Sequence, residues 1–303
     1  MTGAQAPTVF AETPCIPASG LPSAFLQMAA MRGHDPLSLL AGTGLFAGDW
    51  VDPQRQMSPV QFERLLTNLV HAQHGEDMAF LVGARHAQMA DAPLWSPVVW
   101  QGAGATWIAL TGSQRGGDLP AWQAEAFAGM MRERLRPLLP AGTALQFYFR
   151  HAMPRYLEQY HAHLGENLTF SAPANLIRAD AYVDLQTPPA VSFLCRLRAL
   201  LDTSPPADLP LCAAHFGFSV ATMKRRLKAQ GTHFQQQLDE ARRLQLLRAV
   251  TAFGDPATAP QPTAFAFSTD PSNRNREQRR LTGLTALQLR HLLIGYAGER
   301  VEY

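Results

Sequence analysis

The chain is poor in the features that mark the commonest functional classes. Its 303 residues hold three cysteines, Cys15, Cys195 and Cys212, far apart and without metal-ligand spacing. So odd and scattered a set excludes a disulfide framework and fits a reducing compartment. No apolar run approaches the length of a membrane span. The first twenty residues, MTGAQAPTVFAETPCIPASG, lack the basic start and unbroken apolar core of a secretory signal. The expectation is a cytoplasmic protein without membrane attachment, opening on a flexible tail over residues 1–18.

Catalytic signatures are also missing. There is no G-x-S-x-G, and no cysteine stands in a nucleophile motif. GAGATW (102–107) lacks the third glycine of a dinucleotide loop and leads into a strand, so it reads as a hairpin turn. TGSQRGGD (111–118) has no lysine and is no phosphate-binding P-loop. His71 and His74 lie beside Glu76 and Asp77 at helical spacing. A solvated helix face is the simpler reading there, and a metal site the alternative. His161 and His163 are two apart and share no helix face. No enzymatic activity, metal or cofactor is expected.

What is present begins with an uneven charge. The net charge is only +2, but residues 1–189 carry 11 Lys and Arg against 15 Asp and Glu, and the remainder 15 against 9. A mildly acidic front and a basic back point to an anionic partner for the back half, double-stranded DNA first. With 47% apolar residues the chain is globular and long enough for about two domains.

The front half mixes signals. LPSAFLQMAAMRG reads as a helix stopped by Gly33, and Asp35 with Pro36 opens a second. In MSPVQFERLLTNLVHAQHG, Ser58 caps, Pro59 opens and Gln61 completes a capping box. Phe62, Leu65, Leu66, Leu69 and Val70 then share one face. From Leu94 on, strands around a glycine turn, a helix over AWQAEAFAGMMRERLRPLL and further short strands predict an α+β fold. Trp95, Trp100, Trp107, Phe147 and Phe149 are candidate lining for a small-molecule pocket, with plain core as the alternative.

In the back half, PPAVSFLCRLRALLDTSPP gives one helix. Then DLPLCAAHFGFSVATMKRRLKAQG gives a short helix, a turn at Gly217, and a second helix capped by Ser219 and stopped by Gly231. This is helix–turn–helix spacing. Val220, Met223 and Leu227 fall on one side; Ala221, Thr222, Arg225 and Lys228 fall on the other, flanked by Lys224 and Arg226. That basic face suits a major groove, with Arg225 and Thr222 toward base edges and the others toward phosphates. An ordinary helical hairpin is the alternative.

FGFSVATMKRRLKAQGTHFQQQLDEARR resembles the first helix–turn–helix of the AraC/XylS transcriptional regulators, through Ser219, Arg225, Arg226, Leu227, Gly231 and Phe234. LSLLAGTGL, SPVQFERLL and LTFSAPANLIRADAYVDLQTPPA resemble the arabinose-binding-like sensor domain of one branch of that family. The resemblance implies an α+β sensor or dimerisation domain over 19–187, then an all-α domain over 188–303 with two helix–turn–helix units joined by a helix near 235–253. Ala221 and Met223 depart from the pattern, standing where many members carry Arg and Leu. An effector or partner at the sensor would then change how the basic domain sits on promoter DNA, with a homodimer as one assembly; the alternative is a sensor or interaction protein that has lost specific DNA binding and acts by hetero-dimerising with an intact relative.

FSTDPSNRNREQRRLTG (267–283) resembles the second unit through Asp270, Pro271, Ser272, Arg276, Arg279, Arg280, Thr282 and Gly283. Its middle departs from the pattern. Arg274 and Gln278 stand where the family buries aromatics, Thr269 is an extra residue, and Pro260 and Pro262 interrupt the expected supporting helix. The unit at 254–290 is degenerate, by local replacement, decay or a shifted reading frame. Arg274, Arg276, Arg279 and Arg280 remain candidate DNA contacts, and residues 254–280 are expected to be poorly ordered without DNA.

Overall fold

The computed structural model describes residues 8–50, 52–72, 77–87, 95–112, 119–185, 192–203, 207–252 and 271–295. An α+β region is followed by an all-α region, as expected. The order is β1 (Ile16–Pro17), α1 (Leu21–Met31), α2 (Pro36–Leu39), β2 (Gln56–Met57), α3 (Pro59–Ala72), α4 (Met78–Ala87), β3 (Trp95–Gly102) and β4 (Ala105–Gly112). Then come α5 (Ala121–Leu135), β5 (Leu145–Tyr148), α6 (Leu157–Leu164), β6 (Leu168–Thr169) and β7 (Leu176–Ala179). The helical part comprises α7 (Phe193–Leu201), α8 (Leu209–His215), α9 (Val220–Ala229), α10 (Phe234–Ala252), α11 (Pro271–Thr282) and α12 (Ala286–Ile294).

Local chemistry sets several of these boundaries. The capping box at α3 forms: Ser58 N donates to Gln61 Oε1 at 2.9 Å, and Gln61 N to Ser58 Oγ at 3.4 Å. Behind it Phe62, Leu65, Leu66 and Leu69 are fully buried. Asp35 caps α2 by accepting from Leu37 N. The β3–β4 hairpin turns at Ala103 and Gly104, both at positive φ, the geometry that a two-residue hairpin loop requires.

Five strands form one sheet in the order β3-β4-β7-β5-β6, antiparallel except for β5 with β6. Side chains alternate across it. Ile108, Leu110, Phe147 and Ile177 face a core built with α1, α3, α4 and α5. Ala105, Trp107, Ala109, Tyr148 and Leu176 face a second core, whose other side is Leu244, Leu246, Leu247 and Val250 of α10 with Leu289 and Leu293 of α12. All eight residues of β4 are buried. The sheet is therefore a middle layer between helices from both halves of the chain. The boundary expected near 187 falls on residues outside the described ones, and the elements on either side of it share a core. Each side also has a core of its own, with buried members from Ile16 to Val183 and from Phe193 to Ala241.

The seam is close. Trp100 Nε1 donates to Thr251 Oγ1 at 2.8 Å, Arg178 Nη1 to Leu293 O at 3.3 Å, and Arg198 Nη1 to Gly112 O. A methyl group on Gly102 would stand 2.4 Å from Thr251 O. A third core joins α7, α8, α9 and α10 through Phe193, Leu197, Cys212, Met223, Leu227 and Ala241.

Two expectations are corrected here. Residues 8–18 are not a flexible tail. Ile16 and Pro17 pair with Met57 and Gln56, and Ile16 and Ala18 are buried. Val9 bridges Ser192, and Phe10 packs on Phe193 with ring centroids 5.5 Å apart and planes tilted by 30°. Apolar side chains close to the chain start gain more from this burial than they lose in freedom. Nor do the five aromatics converge on a pocket. Trp95, against Phe127 at 5.7 Å, shares the first core with Phe147 and Phe149, whereas Trp107 and Trp100 stack on the opposite face. The pleat sends them to opposite sides, so they are packing residues.

One buried polar cluster ties α5 to α6. Glu125 accepts from the hydroxyls of Tyr160 and, at 2.9 Å, Tyr156, and Tyr160 Oη lies 3.2 Å from His151 Nε2. Burial pushes the Glu125 carboxyl above the ordinary range, against the lowering pull of the two hydroxyls and His151.

Candidate nucleic-acid interface

Asp208 caps α8 by accepting from Leu211 N at 2.8 Å. Gly217, at φ +67°, ends that helix, and Phe218 N returns to Ala213 O at 2.8 Å. Ser219 then caps α9, accepting from Thr222 N at 3.1 Å, and Gly231 at φ +66° closes it. The α8–turn–α9 unit sits on α7 and α10 through Cys212, Ala213, Met223 and Leu227.

Burying Met223 and Leu227 fixes what α9 presents. Ala221, Lys224, Arg225 and Lys228 are exposed and Thr222 is half-buried. At spacings of three, four and seven these positions form one stripe along the outer face. Val220, expected on the inward side, is 37% exposed. Arg226 is half-buried and stands apart from that stripe. Its guanidinium lies 4.6 Å from the centroid of the Phe10 ring, a cation–π contact that turns it toward the protein.

In the second unit, residues 253–270 lie outside the described ones, including the stretch with Pro260 and Pro262. Helix α11 is present and ends at Gly283, φ +74°. Arg274 is part of it, with its side chain outside the described atoms. Arg276 and Arg279 are exposed and, with Ser272 and Asn275, line a groove of about 580 Å³. Its other wall is Thr285, Ala286 and Leu287 at the start of α12. There Thr285 and Gln288 form a reciprocal capping box.

Arg280 does not belong to that outer set. Its Nη1 and Nη2 donate to Asp239 of α10 at 2.7 and 2.8 Å. Its Nε and Nη2 donate to Glu277 at 2.9 and 2.6 Å. Arg280 is a link between two helices, with its side chain still 47% exposed. These ion pairs also answer how a helix without an apolar stripe is anchored. Gln278 is buried, with its Nε2 lacking a hydrogen-bond partner, and Leu281 and Thr282 are buried at the helix end. Arg243 Nε adds a bond to Leu281 O at 2.8 Å. Hydrogen bonds from Arg280 hold the Asp239 and Glu277 carboxyls below the usual carboxylate range.

Sequence reasoning missed Asp239, Glu277 and Arg242. The three-residue spacing of Glu277 and Arg280 was visible, but a partner 41 residues away was not. Among the described residues, no group of three or more His, Cys, Asp and Glu is placed to hold a metal, and no helix is long and apolar enough to cross a membrane. His74 lies outside them; His163 stacks on Phe80 with centroids 5.0 Å apart. A crevice where β4 meets α7 and α10, lined by Arg150, Asn175, Arg198 and Glu240, holds about 20 Å³, roughly one water.

No protein-family model matches the chain, and no curated protein matches it. Among solved structures it is similar to the transcriptional regulator CdpR from Pseudomonas aeruginosa, at 16% identity. The match covers 89% of this chain and 98% of that one, with a TM-score of 0.31. A likeness of that size does not establish a shared fold.

Proposed function

We propose that the chain is a cytoplasmic DNA-binding transcriptional regulator without a catalytic step of its own. The observation that carries this is the outer face of α9. Ala221, Thr222, Lys224, Arg225 and Lys228 form a basic stripe on a helix held by a capped, glycine-turned partner helix. A single helix of this kind fits a major groove, with Arg225 suited to bidentate contact with guanine and the lysines to phosphates. The family resemblance of the sequence supports the same reading, with α8–α9 as one helix–turn–helix unit and α11 as the reading helix of a second. Arg276 and Arg279 are the cations of that second unit that line its open groove, among the described residues. The α+β region is the sensing part, taking an effector or a second copy of the chain. Because α10 and α12 lie on its sheet, a change at the sheet reaches the basic half without a flexible tether.

The test is recovery of DNA bound by the tagged protein from fragmented genome, followed by affinity measurement on the enriched sequence. A recurring sequence bound with strong salt dependence is expected. Arg225→Ala should weaken binding to that sequence by about 1–3 kcal/mol while leaving random DNA little changed. Equal loss on both would remove Arg225 from base reading. A second reading is favoured by Arg226 and Arg280, both engaged by groups of the chain itself. It makes the chain an interaction protein that pairs with an intact relative and has lost specific DNA binding. Absence of salt-dependent binding would select it.

A further inference from the structure

Three arginines of α11, Arg276, Arg279 and Arg280, divide by direction. Arg276 and Arg279 stand on the open groove. Arg280 turns onto α10, where its guanidinium grips both oxygens of Asp239 and both oxygens of Glu277. Arg242 of α10 reaches the same Glu277 at 3.5 Å. The result is a four-member alternation of charge across the α10–α11 contact. The side chains of Asp239 and Glu277 are only 20% and 25% exposed, while that of Arg280 is 47% exposed, so the carboxylate side of these pairs is sheltered and the arginine side meets solvent. A guanidinium held by two carboxylates in fork geometry also fixes direction, which a single apolar contact does not.

Other anchors on α11 are few. Between Ser272 and Arg280, Gln278 is the one buried side chain among the described residues, and its amide nitrogen is unpaired. Leu281 and Thr282 hold only the end of the helix. Apolar packing alone would leave the rotation of α11 about its own axis weakly defined, because one terminal contact allows pivoting.

We infer that Asp239 is a positioning residue: with Glu277 it sets the rotation at which α11 stands on α10, and so the direction in which Arg276 and Arg279 point. The consequence for DNA rests on the regulator reading above; the latch itself does not. Plain electrostatics makes the opposite forecast. Asp239→Asn removes a negative charge from a basic half, which by field alone tightens DNA binding. Loss of positioning weakens it.

The experiment uses the full chain in three forms: wild type, Asp239→Asn, and Asp239→Glu, which keeps the carboxylate. Amide hydrogen exchange is read across 272–282, with 220–229 as internal reference. In Asp239→Asn, protection across 272–282 should fall about fivefold, the scale of one good ion pair, and 220–229 should not change. Asp239→Glu should keep more of the protection than Asp239→Asn. Binding of Asp239→Asn to the enriched genomic sequence should weaken by a similar factor. Unchanged protection in Asp239→Asn, protection in Asp239→Glu no better than in Asp239→Asn, or DNA binding as tight as wild type each overturns the inference. If wild type enriches no sequence, the regulator reading fails instead, and the exchange data alone decide the latch.

Discussion

Substituting Gly102 by alanine tests whether the two halves of the chain are one mechanical body. Gly102 ends β3, and its φ is outside the left-handed region, so alanine meets no backbone objection there. The objection is contact. The new methyl would stand 2.4 Å from the carbonyl oxygen of Thr251 and 2.9 Å from its carbon. Both are backbone atoms and cannot swing away. Ordinary contact needs about 1 Å more, so the last turn of α10 must retreat from the sheet by roughly that distance. The Trp100 Nε1 to Thr251 Oγ1 bond, now 2.8 Å, then passes beyond hydrogen-bonding range. Overpacking costs about 1–3 kcal/mol, and the lost bond about 1 kcal/mol more. For a chain this long the sum lowers the unfolding midpoint by about 4–8 °C. Calorimetry reads the midpoint. Tryptophan emission reads the seam itself, since Trp100 and Trp107 stack there at 6.4 Å and should shift to the red. Gly48→Ala is the control, because a methyl there meets nothing within 4 Å. A Gly102→Ala protein with a wild-type midpoint and unshifted emission would show that α10 does not bear on the sheet as described.

Two other outcomes follow from buried polar groups. Gln278→Met should raise stability by about 1 kcal/mol, because it removes an unpaired buried amide nitrogen and keeps the side-chain length; a denaturant midpoint equal to or below wild type would contradict this. Glu125 has a folded-state pKa raised by burial, so the folded protein binds more protons than the unfolded one in that window. Its contribution to stability therefore falls as pH rises from the ordinary carboxylate range, about 4.3, through the raised folded value. Glu125→Gln should flatten that slope and gain on wild type as pH rises, in thermal midpoints taken across the acid range; parallel curves would rule out ionised Glu125 as the source.

Boundaries were the most legible part of the sequence. Ser58 with Gln61, Asp35 and Ser219 cap where their chemistry says they should, and Gly217, Gly231 and Gly283 stop helices at positive φ. These are local effects, decided within four residues. The second face of the sheet is not local. Its signal was the run ATWIAL in β4, continuous rather than alternating, which marks a strand covered on both sides. What covers it, Leu244 to Val250 and Leu289 to Leu293, lies far along the chain and carries no mark of its partner. The aromatics misled for the same reason. Trp107 and Phe147 have pocket-like chemistry, but the pleat and neighbours far along the chain place them in separate cores. Arg226 was assigned by helical angle and Arg280 by resemblance to the second unit, and neither signal reaches beyond the helix itself. Angle gives the direction in which a side chain leaves the helix, whereas Asp239 and Phe10 decide where it ends.

A strand with no free face has a genetic consequence. In β4, Trp107 and Ala109 face α10 while Ile108 and Leu110 face the helices of the other layer. A change in volume at Trp107 or Ala109 is therefore best answered by a change at Leu244, Leu247 or Val250, about 140 residues downstream. A change at Ile108 or Leu110 is answered in the layer formed by α1, α3, α4 and α5. Selection for second-site suppressors of damaged β4 should return two non-overlapping sets, sorted by whether the damaged position is odd or even. Chimeras that graft the basic half of one such protein onto the front half of another inherit the first set as mismatches, however well each half folds in its own parent.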